Sequence, residues 1–210
     1  MLTTANNISI NYEITGPEDG PVLVFSNSLA TSLEMWNGQV DHLKDEYRIL
    51  RYDNRGHGGT PVPDMEGPYS IELLGRDILG LLDVLNIEKV SFCGLSKGGM
   101  VGQWLGINAP DRLNKLVLSN TASYFPDKEM WRERINMATN DGIPAIAEAS
   151  IGRWFTPGYL ERSDTSSTID FVRQFILETS RDGYLAVSYT HLRAHETRED
   201  RGLGGGGGKK

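Results

Sequence analysis

The stretch that decides the fold is Val90-Ser91-Phe92-Cys93-Gly94-Leu95-Ser96-Lys97-Gly98-Gly99, where an apolar run passes into a glycine-rich turn around a serine. The apolar run predicts a buried strand, and the small residues after it predict a sharp turn into a helix. Such a turn holds the serine in a strained conformation and lifts its hydroxyl above the end of the strand. The spacing Gly-x-Ser-x-Gly in this setting therefore predicts that Ser96 is a nucleophile.

Two backbone amides are candidates for stabilising an oxyanion at this serine. The N–H of Lys97 falls in the first turn of the predicted helix, where backbone amides have no helical partner. A second donor is expected from the loop after an earlier strand, and Leu29 follows the apolar run 22–25 at that place. The Lys97 side chain suggests a base next to the nucleophile, but adjacent residues on such a turn point apart, so we interpret this side chain as tolerated.

Strands and helices alternate on both sides of this turn. Short apolar runs predict strands at residues 22–25, 47–52, 90–93 and 116–118. An alternating pair, 8–10 with 12–14, predicts an antiparallel hairpin at a sheet edge. Helices are predicted around Trp36, after the N-cap residue Ser70, and from Lys97 onward. This alternation predicts an α/β fold with a mostly parallel sheet and helices on both faces.

The second half of the chain changes character twice. From residue 126 it offers helices and no convincing strand, which predicts a helical lid over residues 126–186 on the N-terminal part of an α/β core, residues 1–125. At Val187 the composition shifts abruptly and leads to a glycine run and two lysines. We interpret residues 187–210 as a cloning, adaptor or assembly junction, and we expect this tail to be non-native or disordered.

The amino-acid composition favours a globular domain and argues against some classes of partner. The chain has 210 residues, 39% hydrophobic and 23% charged, which suits one globular domain. Its net charge of −7 argues against nucleic acid and against anionic membrane surfaces as partners. The sequence shows no signal peptide, no apolar run of the ~20 residues that span a bilayer, and one cysteine, Cys93. We therefore expect a cytoplasmic protein without cofactor or metal, and we leave the oligomeric state open.

None of the histidines is assigned as the base that a serine nucleophile needs. His57 precedes the serine in the chain, and we favour a structural turn at that position over a catalytic role. His191 and His195 are four residues apart and would suit a metal on a helix face, but both lie in the suspect tail. The sequence therefore leaves the base and its orienting acid unassigned.

Several blocks of the chain together resemble the 3-oxoadipate enol-lactonases, α/β-hydrolases of aromatic-compound breakdown by the β-ketoadipate route. The blocks are residues 25–31 with Met35-Trp36, then 51–58, 67–71, 92–106 and 153–157. The resemblance implies the α/β-hydrolase fold, and it covers about residues 1–186. It stops before the loops that carry the family's catalytic Asp and His, so the C-terminal part of the core is expected to be missing. At the position of Lys97 the family more often has an apolar residue.

The resemblance implies acyl transfer on a small lactone. Ser96 would attack the lactone carbonyl, with the N–H groups of Leu29 and Lys97 facing the oxyanion. The substrate carboxylate calls for a cation in the pocket. The candidate substrate-binding residues are Trp36, Arg132, Arg134 and Trp154, with Arg153 as a further cation.

Three interpretations of the activity remain open at this point. The first is a lactone hydrolase, which is expected to be inactive in the chain as written because the base and acid are unassigned. A different carboxylesterase or a perhydrolase on the same fold is an alternative to the lactonase. A non-catalytic fragment is the third.

Overall fold

The structure, a computed structural model, describes residues 1–62, 69–123 and 127–193. Its strands are β1 (Leu2–Ala5), β2 (Ile8–Thr15), β3 (Val22–Ser26), β4 (Arg48–Tyr52), β5 (Val90–Leu95) and β6 (Leu113–Ser119). They form a six-stranded sheet in the order β1-β2-β4-β3-β5-β6. The four strands β3 to β6 pair in parallel, and β1 and β2 pair antiparallel. The predicted α/β class and mostly parallel sheet are confirmed.

The hairpin at the sheet edge differs from the prediction. Residues 8–15 form one continuous strand, and the partner of this strand at the edge is β1, with Ala5 opposite Ile8. The turn between them is Asn6-Asn7, with φ of 46° and 63°. Asparagine tolerates positive φ at both central positions of a tight hairpin turn. The predicted pairing of 8–10 with 12–14 is wrong because the chain reverses at this turn and runs straight through residue 11.

The helices are α1 (Asn37–Leu43), α2 (Ile71–Val84), α3 (Lys97–Asn108), α4 (Lys128–Asn140), α5 (Gly142–Trp154), α6 (Pro157–Leu160), α7 (Ser166–Leu177) and α8 (Arg181–Arg193). Ser70 caps α2 by accepting the amide of Leu73 at 3.0 Å, and Asp127 caps α4 by accepting the amide of Met130 at 3.0 Å. Within the described ranges, no helix is long and apolar enough to cross a membrane.

Helices cover both faces of the sheet, because alternate strand residues enter different apolar clusters. Val24, Leu50 and Phe92 pack with α2 and α3 on one face. On the other face, Phe25 and Ile49 pack with Trp36 and Val40. Phe25 follows Val24 in β3, and Ile49 precedes Leu50 in β4, so neighbouring residues of a strand point to opposite faces. A strand that buries both its faces reads as a continuous apolar run, which is why these strands were visible in the sequence.

The edge strand β6 is an exception to this burial. Leu116, Val117 and Leu118 are 36%, 54% and 42% exposed, although they are as apolar as the central strands. Leu116 and Leu118 lie near Gly102 of α3, so that helix covers part of one face. Among the described residues β6 is therefore a sheet edge with apolar side chains open to solvent.

Helices α4, α5, α7 and α8 share a separate apolar cluster. It contains Trp131, Ile146, Phe175 and Val187, and it also includes Leu29 of the core, which lies in the loop after β3. These helices therefore pack over the loop that follows β3. The boundary predicted between core and lid falls at residues 124–126, outside the described residues, and the division into domains stays a prediction.

The expectation of a disordered tail from Val187 is wrong as far as Arg193. Those residues continue α8, and Val187, Ser188, Thr190 and His191 are buried. The ring of His191 stacks on Trp131 with centroids 3.8 Å apart. The physical reason is periodicity: Tyr184, Val187 and His191 are three and four residues apart and continue one helix face. Residues 194–210 lie outside the described part of the chain, and the origin of the tail stays a hypothesis.

Candidate functional site

Ser96 occupies the turn between the end of β5 and the start of α3. Its backbone has φ 54° and ψ −113°, a region that side-chain-bearing residues rarely adopt. Three hydrogen bonds hold this conformation: the Ser96 amide donates to Ser119 O at 2.9 Å, and its carbonyl accepts from Thr121 Oγ1 at 2.8 Å and from the Met100 amide at 3.1 Å. The predicted strained turn is confirmed, and strain that is this well supported is typical of functional positions.

The two glycines of the motif are required by close backbone approaches. A Cβ on Gly94 would overlap the backbone of Gly98, and a Cβ on Gly98 would overlap the carbonyl of Ser26 in β3. Each glycine thus lets one element pass next to another without a gap. The spacing of the motif is therefore explained by packing around the serine as well as by the turn itself.

Of the two predicted oxyanion donors, Lys97 directly follows Ser96, and Leu29 lies in the loop after β3, the strand that pairs with β5. Lys97 is the first residue of α3, where its amide precedes the first helical hydrogen bond, from Met100 to Ser96. Leu29 follows Ser28 in the loop after β3, and its buried side chain joins the cluster of the lid helices. This placement suits two amides that converge above Ser96, and their role stays a prediction.

Ser96 opens into a cavity of about 590 Å³ between the core loops and the helices α5 and α7. The residues that line it are Ser28, Thr31, Met35, Leu95, Ser96, Asn120, Arg153, Trp154, Thr168, Phe171, Val172 and Phe175. Aromatic and apolar side chains from the lid face hydroxyl and amide groups from the core loops. A volume of several hundred Å³ with a few polar groups is typical of a small-molecule site.

Arg153 is the charged residue among those lining this cavity. Its guanidinium donates to Ser150 Oγ at 3.0 Å, a neutral partner on the same helix. Partial burial lowers the pKa of Arg153, and the positive charge of Arg134 lowers it further. A cation held by a neutral partner in a pocket is suited to receive an anion.

The base that would activate Ser96 is not found among the described residues lining the cavity, because they include no histidine, aspartate or glutamate. His57 is buried elsewhere, with its Nδ1 3.2 Å from Arg55 O. That placement agrees with the structural turn favoured from the sequence.

The structure corrects three of the expected substrate contacts. Trp36 is buried, stacks on Phe25 with centroids 4.5 Å apart and donates to Asn27 Oδ1 at 2.9 Å, so it packs the core. Arg132 is exposed and pairs with Glu129 at 3.2 Å. Arg134 lies 4.7 Å above the ring of Trp131 and does not line the cavity. Helical phase decides the outcome for the two arginines, since residues two apart on α4 point to different sides of the helix.

Trp154 lines the cavity as expected, and α7 contributes residues that the sequence did not single out. Phe171 and Phe175 are four residues apart and present their rings on one side of α7. The spacing was visible, but nothing in it distinguishes a pocket wall from the packing of the lid itself. Asn120, just after β6, is a further unpredicted residue of the wall; its φ of 42° marks it as a special backbone position.

The burial of the Lys97 side chain is a further finding that the sequence did not suggest. Lys97 is 0% exposed, and its Nζ has no hydrogen-bond partner. Burial lowers the pKa of this amine to about 7, although the charge of Asp53 opposes the shift. The interpretation of this side chain as merely tolerated is therefore incomplete.

Comparison with known families and structures agrees with this geometry. The family described as alpha/beta hydrolase fold matches residues 21–153. The chain is 40% identical to 3-oxoadipate enol-lactonase 2 of Acinetobacter baylyi, over 86% of this chain and 66% of that protein. It is 35% identical to 3-oxoadipate enol-lactonase 1 of the same organism, over 88% of this chain and 67% of that protein. The chain thus spans about two thirds of the length of these relatives.

A solved structure shows the same likeness in three dimensions. The enol-lactonase from Burkholderia xenovorans LB400 superposes with a TM-score of 0.85 at 38% identity, covering 90% of this chain and 72% of that one.

Proposed function

The chain belongs to the α/β-hydrolase family, and from this premise we propose that it is a carboxylic-ester hydrolase that opens 3-oxoadipate enol-lactone with Ser96 as nucleophile. The observation that carries the proposal is the strained Ser96 at the wall of a cavity that also holds Arg153. The similarity to three enol-lactonases supports the choice of substrate within the family.

The residues near the turn suit acyl transfer. Ser96 Oγ attacks the lactone carbonyl while its proton passes to a base from beyond the described lining of the cavity, and the amides of Leu29 and Lys97 donate hydrogen bonds to the oxyanion that forms. Collapse of this intermediate breaks the ring C–O bond and expels an enolate, which takes up a proton and relaxes to the ketone. Water then hydrolyses the acyl-serine ester and releases 3-oxoadipate.

Arg153 gives the cavity a means of choosing a carboxylate-bearing lactone. A guanidinium can bind a carboxylate through two parallel hydrogen bonds, and the neutral Ser150 hydroxyl leaves donors of Arg153 for that purpose. The aromatic side chains of Trp154, Phe171 and Phe175 would enclose the ring of the substrate. Charge at one end and apolar surface around the rest define an orientation for the lactone.

We propose further that the 210-residue chain has negligible turnover. The described lining of the cavity contains no base for Ser96. Because the members of a serine triad act as a unit, the loss of one costs on the order of 10⁴-fold in rate.

The experiment follows the loss of enol-lactone absorbance with two purified proteins. One is the 210-residue chain, and the other is residues 1–186 continued by the C-terminal third of the Acinetobacter baylyi relative. We expect turnover by the second protein alone, and Ser96→Ala should abolish it, whereas Ser167→Ala on the exposed side of α7 should not. Robust turnover by the 210-residue chain would refute the argument about the missing base.

A simple carboxylic ester is the second candidate substrate. The observation in its favour is the aromatic and apolar wall of Trp154, Phe171, Val172 and Phe175, which would suit an uncharged acyl group as well. The completed enzyme should be offered a neutral phenyl ester beside the enol-lactone. Good activity on the ester with none on the lactone would favour this alternative.

A further inference from the structure

The side-chain amine of Lys97 lies enclosed in protein immediately after the nucleophile. Lys97 is 0% exposed, its Nζ has no hydrogen-bond partner, and it is not among the residues lining the cavity that Ser96 faces. Burying a charged or polar group without hydrogen bonds is unfavourable, and such groups cluster at functional sites. The placement therefore calls for an account of what this amine does for the neighbouring serine.

Titratable groups from two other elements face the amine. Asp53 and His57 come from the loop after β4, and His191 comes from α8; the charge of Lys97 acts on the pKa of all three. Asp53 is held by the side chain of Asn11 at 2.8 Å and by the amides of Leu33 and Gly59 at 2.7 and 2.8 Å. These three hydrogen bonds hold the Asp53 carboxylate in place. Its negative charge favours the protonated form of Lys97, but it does not form a hydrogen bond with the amine.

The two histidines, His57 and His191, are both uncharged near neutral pH. Burial is the main cause that lowers the pKa of His57 well below its ordinary value, and burial also lowers the pKa of His191 to about 3. Both rings are neutral at the pH at which the amine titrates. Lys97 is thus the group of this cluster that changes its charge near neutrality.

We propose that the Lys97 side chain is a positioning residue for the reaction at Ser96, in which its ammonium form supplies a fixed positive charge behind the oxyanion. The backbone amide of the same residue is the proposed oxyanion donor, so the Lys97 side chain keeps its charge in the same part of the fold as that donor. In a site screened from water such a charge acts much more strongly than in solution. The inference rests on the proposed role of Ser96 as nucleophile and adds a pH dependence to it.

The sign of the pH dependence follows from the lowered pKa. Below pH about 7 the amine carries its proton and stabilises the oxyanion; above that pH it is neutral and this contribution is lost. A lysine with an ordinary pKa would remain charged to about pH 10. The effect of the Lys97 side chain should therefore be present in weakly acidic solution and absent in weakly alkaline solution.

The test applies a fluorophosphonate, which reports on the serine without needing the correct substrate, to the 210-residue protein and in parallel to the completed enzyme, whose C-terminal third supplies a base for Ser96. Ser96 Oγ forms a bond to phosphorus, the P–F bond breaks, fluoride leaves, and the hydroxyl proton passes to water. Mass spectrometry of the Ser96 peptide gives the labelling rate from pH 5.5 to 9. The variants are Lys97→Met, which has no charge, and Lys97→Arg, which is charged at every pH in this range.

We expect the wild-type protein to label about tenfold faster than Lys97→Met at pH 5.5, and this ratio should fall to about one at pH 9. Lys97→Arg should keep an advantage over Lys97→Met across the whole range. The exposed Lys89 provides the control, since Lys89→Met should match the wild type at every pH. A ratio that changes with pH cannot come from a purely structural effect of the substitution.

Different results would contradict the role of the Lys97 side chain and the role of Ser96 as nucleophile. A ratio of wild type to Lys97→Met that stays constant with pH would overturn this inference and leave Ser96 as the nucleophile. If Lys97→Met does not fold, a constant ratio between wild type and Lys97→Arg would overturn the inference in the same way. Absence of label at Ser96 in every protein would overturn the proposed nucleophile as well.

Discussion

Arg153 and Lys97 are both basic residues near Ser96, but the fold gives them different surroundings. Arg153 lines the cavity and is partly exposed, with a neutral hydroxyl as its partner. Lys97 is fully enclosed and has no hydrogen-bond partner for its amine. A solvent-accessible guanidinium can bind a substrate directly, whereas an enclosed amine can act on the reaction only through its charge. Residue type alone does not separate these two roles.

A substitution at Arg153 tests the direct role. In the completed enzyme, Arg153→Met should raise the KM for the carboxylate-bearing lactone about tenfold to a hundredfold, because a charge-assisted hydrogen bond is lost. The KM for a neutral phenyl ester should stay the same. Arg132→Met is the matched control, since Arg132 is exposed and paired with Glu129. Equal losses on both substrates would contradict the carboxylate-binding role.

At the scale of elements, helix α8 packs against helices α4 and α7 through a shared apolar cluster. Val187 is 0% exposed within the cluster that contains Trp131 and Phe175, and His191 stacks on Trp131. This packing involves residues whose composition alone indicated a foreign tail. A segment with an unusual composition can still form a helix when its apolar residues fall on one face.

The contribution of α8 can be measured by unfolding. Val187→Ala should lower the free energy of unfolding by about 1–3 kcal/mol, because it leaves a cavity among buried side chains. Tyr189→Ala, on the exposed side of the same helix, should change it by less than about 0.5 kcal/mol. Urea titrations with an unchanged slope give both numbers. Equal effects of the two substitutions would mean that α8 is not packed as described.

At the scale of the whole molecule, the two edges of the sheet differ in kind. One edge is β1, where one apolar residue, Leu2, and the polar residue Thr4 are exposed, and the other is β6, where three consecutive apolar residues, 116–118, are open to solvent. Unpaired backbone groups beside apolar side chains favour pairing with another chain. We therefore expect self-association through β6 and not through β1.

A charge on β6 should weaken that self-association. Val117→Lys should lower the association constant by about tenfold or more, since pairing would bring lysines together along the edge. Thr4→Lys on β1 serves as the control and should have no effect. Sedimentation velocity over a concentration series measures both. A wild-type protein that stays monomeric at high concentration would contradict this prediction.

Much of the fold was predictable because the signals are local. The turn around Ser96 was visible since glycines at 94 and 98 are demanded by backbone approaches that any strand-to-helix turn of this type makes. The central strands were visible because both of their faces are buried, and the caps at Ser70 and Asp127 mark helix starts wherever they occur. The Asn6-Asn7 turn was not predicted although its signal was also local.

The sequence by itself determined the fold class, the strand-to-helix turn at Ser96 and the presence of helices after β6, because periodicity, capping and glycine spacing depend on neighbours along the chain. Only the tertiary structure decided which lid arginine faces the cavity, that Trp36 packs the core, and that the Lys97 amine is enclosed. The same structure placed residues 187–193 in a packed helix. These outcomes depend on contacts between residues far apart in the chain, and burial sets both the access and the charge of a side chain only once those contacts exist.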